Sequence, residues 1–126
     1  MKIELDRTYL HIHLIAQAIE SEAKIETQLG LLALANAFHN RFSIKEQNKN
    51  LKFQGDIILS AIDGVDLSTA PGSSHLEILA LVAEVFAGDQ SDPTLGATCF
   101  HLHDQVPAWS KQRRCVALIG RRFYYR

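Results

Sequence analysis

Glu22 carries the strongest chemical signal in this sequence. His11, Leu14, Ile15, Ala18, Ile19 and Glu22 recur at three- to four-residue spacing, which marks one face of a helix over about residues 7–24. A carboxyl group on an apolar face has its charged form disfavoured, so its pKa rises. That is the state required of a general acid that protonates a glycosidic oxygen near neutral pH. The spacing alone also allows a plainer role, in which Glu22 ends the helix and pairs with Lys24 or Arg41. Glu26, one turn further on, is a candidate second carboxylate or an orienting residue.

Two further groups attract chemistry. His101 and His103 fall on one face if their segment is a strand, and with Asp104, His11 or His13 they suggest a metal-dependent hydrolase. An HxH pair without a third ligand at defined spacing more often marks structural or solvent-facing histidines, and no metal or other cofactor is assigned. Phe100, His101 and Trp109 could line a sugar cleft, or Phe100 and Trp109 could be ordinary core aromatics. Cys99 and Cys115 are expected to be buried and reduced. Phosphate-cradling loops, CxxC pairs and G-x-S-x-G nucleophile motifs do not occur.

The elements that must position these groups fall into two halves. After the first helix, residues 29–38 (LGLLALANAF) are apolar almost all round, so a buried core helix is expected, continuing to about Arg41. Residues 43–54 are polar and read as a loop, closed by Gly55. Residues 56–62 fit a short strand or a helix equally, and 63–74 are rich in turn formers. Ser73 or Ser74, with Glu77, would cap a third helix over about 75–87 that ends at Gly88. Then come short β-prone runs at Ala97–Leu102, Cys115–Ile119 and Phe123–Arg126, the last two joined as a hairpin through Gly120-Arg121-Arg122. Helices first and strands after predict an α+β domain, with the antiparallel sheet formed by the C-terminal third.

The chain of 126 residues suits one domain, 1–126, and its 47% hydrophobic content argues against disorder. No apolar run reaches the roughly 20 residues that span a bilayer, so membrane insertion is not expected. The N-terminal stretch has acids where a signal peptide would be apolar, which predicts synthesis in the cytoplasm. The net charge of −1 conceals an asymmetry. Residues 1–110 hold 7 Lys/Arg against 14 Asp/Glu, whereas residues 111–126 hold six cations and no acid. The basic segment would suit an anionic polymer, or simply solvate a strand edge. The acidic body argues against a nucleic-acid partner.

Residues 14–41, LIAQAIESEAKIETQLGLLALANAFHNR, resemble the opening of the SleB-like cell-wall hydrolases, which include spore-cortex-lytic enzymes and phage-borne relatives. Glu22-Ala23-Lys24-Ile25-Glu26 stands for the family's E-A-R-G-E core, and Gly30, Ala33, Ala35, Asn40 and Arg41 match later positions. Asp92-Pro93-Thr94-Leu95-Gly96-Ala97-Thr98-Cys99-Phe100-His101 is similar to D-P-T-G-G-A-(T/L)-x-F-(H/Y), and Asp92 itself is expected to cap a turn through its Asx geometry. Trp109, Ile119-Gly120-Arg121 and Tyr125-Arg126 follow at the family's spacing.

The resemblance implies a lysozyme-like fold. It implies cleavage of the peptidoglycan strand between N-acetylmuramic acid and N-acetylglucosamine, as a lytic transglycosylase or muramidase, with Glu22 as the acid. Thr94 and Tyr125, in the matched motifs, join Phe100, His101 and Trp109 as candidate substrate contacts. Lys24 and Ile25 depart from the pattern, Arg122 stands where a histidine is common, and Ile62-Asp63-Gly64-Val65 replaces a Gln-Phe-Ser-like motif. The rival readings are a degenerate module that binds peptidoglycan without cutting, and the metal-dependent hydrolase using His101 and His103. Acting on the wall would require delivery, by phage lysis or by a secretion machine.

Overall fold

The computed structural model describes residues 12–21, 26–46, 75–88 and 90–126. Residues 12–21 are helical (α1), in line with the apolar stripe, and Ile15, Ala16, Ala18 and Ile19 are fully buried. Both expected ends of that helix lie outside the described residues, as do 47–74, including the proposed Ser73 or Ser74 cap.

Helix α2 runs Gln28–Glu46. Thr27 caps it, its Oγ1 accepting from Gly30 N at 3.0 Å, which satisfies one of the otherwise unbonded first-turn donors. The all-round apolar run is explained by what α2 touches. Leu34, Ala35 and Phe38 pack with α1 and with Ile78, Val82 and Val85 of α3 (His75–Ala87). Ala33 and Ala37 pack with Ala97, Ile119 and Tyr124 on the sheet side. A helix covered on two sides needs apolar residues on both. It also runs further than its apolar stretch. Residues 43–46, expected in a loop, form its last turn, because no glycine or proline stops the helix there. Polarity there marks a helix end, at which Ile44 is exposed. Helix α3 stops as expected at Gly88, which adopts φ 81° and donates from its N to Val85 O at 3.1 Å.

The C-terminal third forms an antiparallel sheet of β1 (Cys99–Leu102), β2 (Cys115–Ile119) and β3 (Arg122–Tyr125), in the order β1-β3-β2. A 3-10 turn, Ala108–Gln112, lies between β1 and β2. The hairpin is tighter than the sequence suggests: Ile119 pairs with Arg122, leaving Gly120 and Arg121 as a two-residue turn. Gly120 takes φ 59° at the first turn position, as a type II′ turn requires.

The strand pleat sorts the side chains. Phe100 is opposite Tyr124, and that face meets the helices through Tyr124 and Ile119. His101 is opposite Phe123, and Cys99 and Cys115 both pair with Tyr125, on the other face. The two cysteines are therefore two strand spacings apart, about 10 Å, beyond the reach of a disulfide. Both thiols are free, Cys99 half-buried and Cys115 exposed, so the expectation of buried cysteines fails at Cys115.

Candidate active site

Glu22 lies outside the described residues, with Ala23, Lys24 and Ile25. The described chain resumes at Glu26, and there the site can be built. Glu26 Oε2 accepts from Arg122 Nη1 at 2.6 Å, and the two side chains are only 1% and 3% exposed. Glu26 Oε1 accepts from Thr27 N at 3.1 Å, at the mouth of α2. Two glycines make room for the carboxyl. A Cβ at Gly30 or at Gly120 would collide with the Glu26 side chain. Glu26 is thus pressed between the first turn of α2 and the tip of the β2–β3 hairpin, with a guanidinium against one oxygen. Such a pair is expensive to desolvate and expensive to break. Sequence spacing singled out Glu26 and the hairpin glycine, the family resemblance supplied Gly30, and neither pointed to Arg122 as the partner. Its signal was only the departure from a histidine.

A second junction ties α2 to the loop before β1. Asn40 Nδ2 donates to Asp92 Oδ2 and to Ala97 O, each at 2.9 Å, which uses both amide hydrogens. Asp92 Oδ1 accepts from Thr94 N at 2.8 Å and Thr94 Oγ1 at 2.6 Å, while Oδ2 also accepts from Gly96 N at 2.9 Å. Burial alone would push the Asp92 carboxyl up. The bonds from the Thr94 hydroxyl, Asn40 and the two backbone amides outweigh it and hold the pKa below its ordinary value. Asp92 is the turn-organising residue that its Asx spacing predicts. It also holds Leu95 at φ 56°, an uncommon conformation for such a side chain. Arg41 completes the junction. Its Nε donates to Thr98 O, and its guanidinium lies over Phe100 at 4.8 Å and Phe38 at 5.3 Å.

The five candidate substrate contacts do not share one surface. Thr94 is fully buried, its hydroxyl donating to Asp92 and accepting from Ala97 N at 3.3 Å, so it closes the loop and has no surface for a sugar. Phe100 turns toward the helices, edge-on to Phe38 with centroids 5.6 Å apart. His101, Trp109 and Tyr125 do come together, but on the opposite face of the sheet from Arg122 and Tyr124. His101 stacks on Tyr125 at 5.2 Å, and Trp109 meets both edge-on. His101 and Tyr125 are buried, whereas Trp109 is half-exposed.

Both ring nitrogens of His101 are committed. Nδ1 lies 2.7 Å from Leu102 O and must donate, so Nε2 accepts from the Tyr125 hydroxyl at 2.8 Å. Burial, reinforced by the nearby Cys115 and partly offset by Ser110, pushes the Tyr125 pKa up, which keeps that hydroxyl protonated. His103 lies past the end of β1 in a turn, so the strand alternation that would align it with His101 is absent. Among the described residues no group of three or more His, Cys, Asp or Glu is placed to hold a metal ion. His11, one of the ligands suggested for such a site, lies outside the described residues.

A helical lobe packed on a small antiparallel sheet, with a buried carboxylate at the junction of the two, defines a lysozyme-like α+β domain. The chain shares the fold of the catalytic domain of the Bacillus cereus SleB protein, with a TM-score of 0.65 and 19% identity over 92% of this chain and 89% of that one. It is equally similar to the catalytic domain of the germination-specific lytic transglycosylase SleB from Bacillus anthracis, with a TM-score of 0.66 and 18% identity over 92% and 93%. No protein-family model matches the chain, and no curated protein matches it in sequence. Among the described residues no helix is long and apolar enough to cross a membrane.

Proposed function

We propose that this domain cleaves the glycan strand of peptidoglycan between N-acetylmuramic acid and N-acetylglucosamine, as a lytic transglycosylase, with Glu22 as its acid. One observation carries the reading. The motif segments that resemble SleB-like hydrolases are scattered over the sequence, yet they touch in space: Glu26 with Gly30 and Gly120, and Asn40-Arg41 with Asp92–Thr98. The shared fold with two SleB catalytic domains supports it further.

In this reading Glu22 protonates the leaving glycosidic oxygen, and the resulting carboxylate takes the proton from the C6 hydroxyl of the same muramic acid. That hydroxyl closes on C1, so no water is consumed. Glu26 is not the second catalytic carboxylate. Its charge is paired with Arg122, and it fastens the start of α2 to the tip of the hairpin. Trp109, half-exposed beside buried His101 and Tyr125, offers surface to a sugar ring. Delivery to the wall is by phage lysis or by a secretion machine.

The test is digestion of purified sacculi followed by mass spectrometry of the released muropeptides. Anhydromuramic ends support the proposal. Sacculi that bind the protein and acquire no new ends would replace it with a non-cutting binding module.

A further inference from the structure

Of the cations in the last sixteen residues, Arg122 is buried against Glu26 and plays no part at the surface. The remaining five are exposed, and the fold separates them. Arg121 sits in the hairpin turn at one end of the sheet, where its carbonyl accepts from His103 N. At the other end Arg126 N donates to Arg114 O at 2.9 Å, so the last residue of the chain runs beside the start of β2. Arg113 precedes it directly, and Lys111 lies two residues earlier in the 3-10 turn. The Arg126 guanidinium Nε also reaches the Asp92 loop, within 3.8 Å of where a Cβ on Gly96 would stand. In that loop the Asp92 oxygens are already taken by Asn40, Thr94 and Gly96. Among the described residues, none of Lys111, Arg113, Arg114 and Arg126 is ion-paired.

We infer that this end of the sheet, formed by Arg113, Arg114 and Arg126 with Lys111 at its margin, is a docking site for a phosphodiester polymer of the bacterial wall. Guanidinium groups match phosphate oxygens in a planar fork, and adjacent unpaired cations suit a flexible chain with one full charge per repeat. The rest of the sequence, with 14 Asp/Glu against 7 Lys/Arg in residues 1–110, has no comparable excess of positive charge to offer a polyanion. The choice of a wall polymer rests on the proposed function. The docking itself is independent of cleavage and is measured without it.

The experiment titrates the full chain into fluorescently labelled poly(glycerol phosphate) and follows anisotropy. Neutralising three to four phosphates should make affinity fall about 20- to 50-fold between 50 and 200 mM salt. Arg114→Gln should weaken binding several-fold, and the triple variant Arg113→Gln/Arg114→Gln/Arg126→Gln should remove it, with near-UV circular dichroism confirming the fold. Arg121→Gln removes the same charge as Arg114→Gln from the other end of the sheet and should change affinity by less than about twofold, since that end lies beyond a Debye length of the docked chain. Intact sacculi should retain more protein than sacculi stripped of phosphodiesters with hydrofluoric acid. The inference is overturned if the wild-type chain does not bind at low salt, or if Arg121→Gln and Arg114→Gln weaken binding equally. Equal retention by stripped sacculi overturns it too, as does single-stranded DNA of equal phosphate number binding as tightly. Failure to release muropeptides while these outcomes hold would count against the proposed function alone.

Discussion

Glu26 and Arg122, 96 residues apart in sequence, meet at 2.6 Å with their side chains almost wholly withdrawn from solvent. This pair fastens the tip of the β2–β3 hairpin to the start of α2, four residues after the proposed acid. An arginine where SleB-like sequences commonly have a histidine is thereby accounted for. It supplies a permanent charge against a carboxylate that would otherwise be buried alone.

Removing either partner should be costly. Glu26→Ala or Arg122→Ala is expected to lower stability by about 3–5 kcal/mol, because each leaves an uncompensated buried charge. The double variant Glu26→Gln/Arg122→Met should recover much of that loss, since it removes both charges while keeping volume. Urea denaturation of the four proteins checks this. A double variant no more stable than the singles would show that the pair is not the source of the cost.

Glu22→Gln should abolish release of muropeptides and leave the thermal transition unchanged. Glutamine keeps the shape and lacks the transferable proton, and general acid catalysis contributes on the order of 10²–10⁴ in rate. Turbidity clearing of sacculi is the readout, and clearing at the wild-type rate would move the acid elsewhere.

The products should be about 18 Da lighter than hydrolytic muropeptides, the mass of the one water that a reaction using the substrate's own hydroxyl omits. The motive is the engagement of Glu26 with Arg122, which leaves it unsuited to activate water or attack a sugar. Reducing ends alone in the digest would require a second carboxylate, and Asp63 would then be the first to replace, since Asp92 is fully occupied with the loop.

Asp92 predicts an acid limit to stability. Its folded pKa lies below the ordinary 3.8, so ionised Asp92 binds its proton less readily in the folded chain than in the unfolded one. Its contribution is fully present above about pH 4 and is lost as pH falls through the lower folded value. Asp92→Ala should therefore be destabilised by about 2–4 kcal/mol at pH 7, given the donors it strands. The gap between variant and wild type should narrow below pH 4. Thermal melts at pH 7, 5 and 3 measure it, and a gap independent of pH would assign the loss to packing.

Much of the architecture was legible from local pattern. The stripe of Ile15, Ala18 and Ile19, the end of α3 at Gly88 and the three β-prone runs all reflect forces acting within a few residues of one another: burial of one helix face, left-handed capping, β-branched and aromatic strand preference. The motif at Asp92 was equally readable, because an Asx turn closes on its own backbone. Tertiary structure alone decided the rest. Residues 43–46 read as loop because polarity looks alike on a loop and on a helix end. Phe100 and His101, adjacent in sequence, looked like one cleft lining until the pleat sent them to opposite faces of the sheet. Thr94 looked available to a ligand until packing buried it. Arg113, Arg114 and Arg121 looked like one basic tail, and the hairpin divided them between its two ends while bringing Arg126 back to Arg114. Above all, no spacing relates Glu26 to Arg122. A contact across 96 residues depends on how helix and sheet are docked, and on the two glycines at the docking point that leave a carboxylate room to enter.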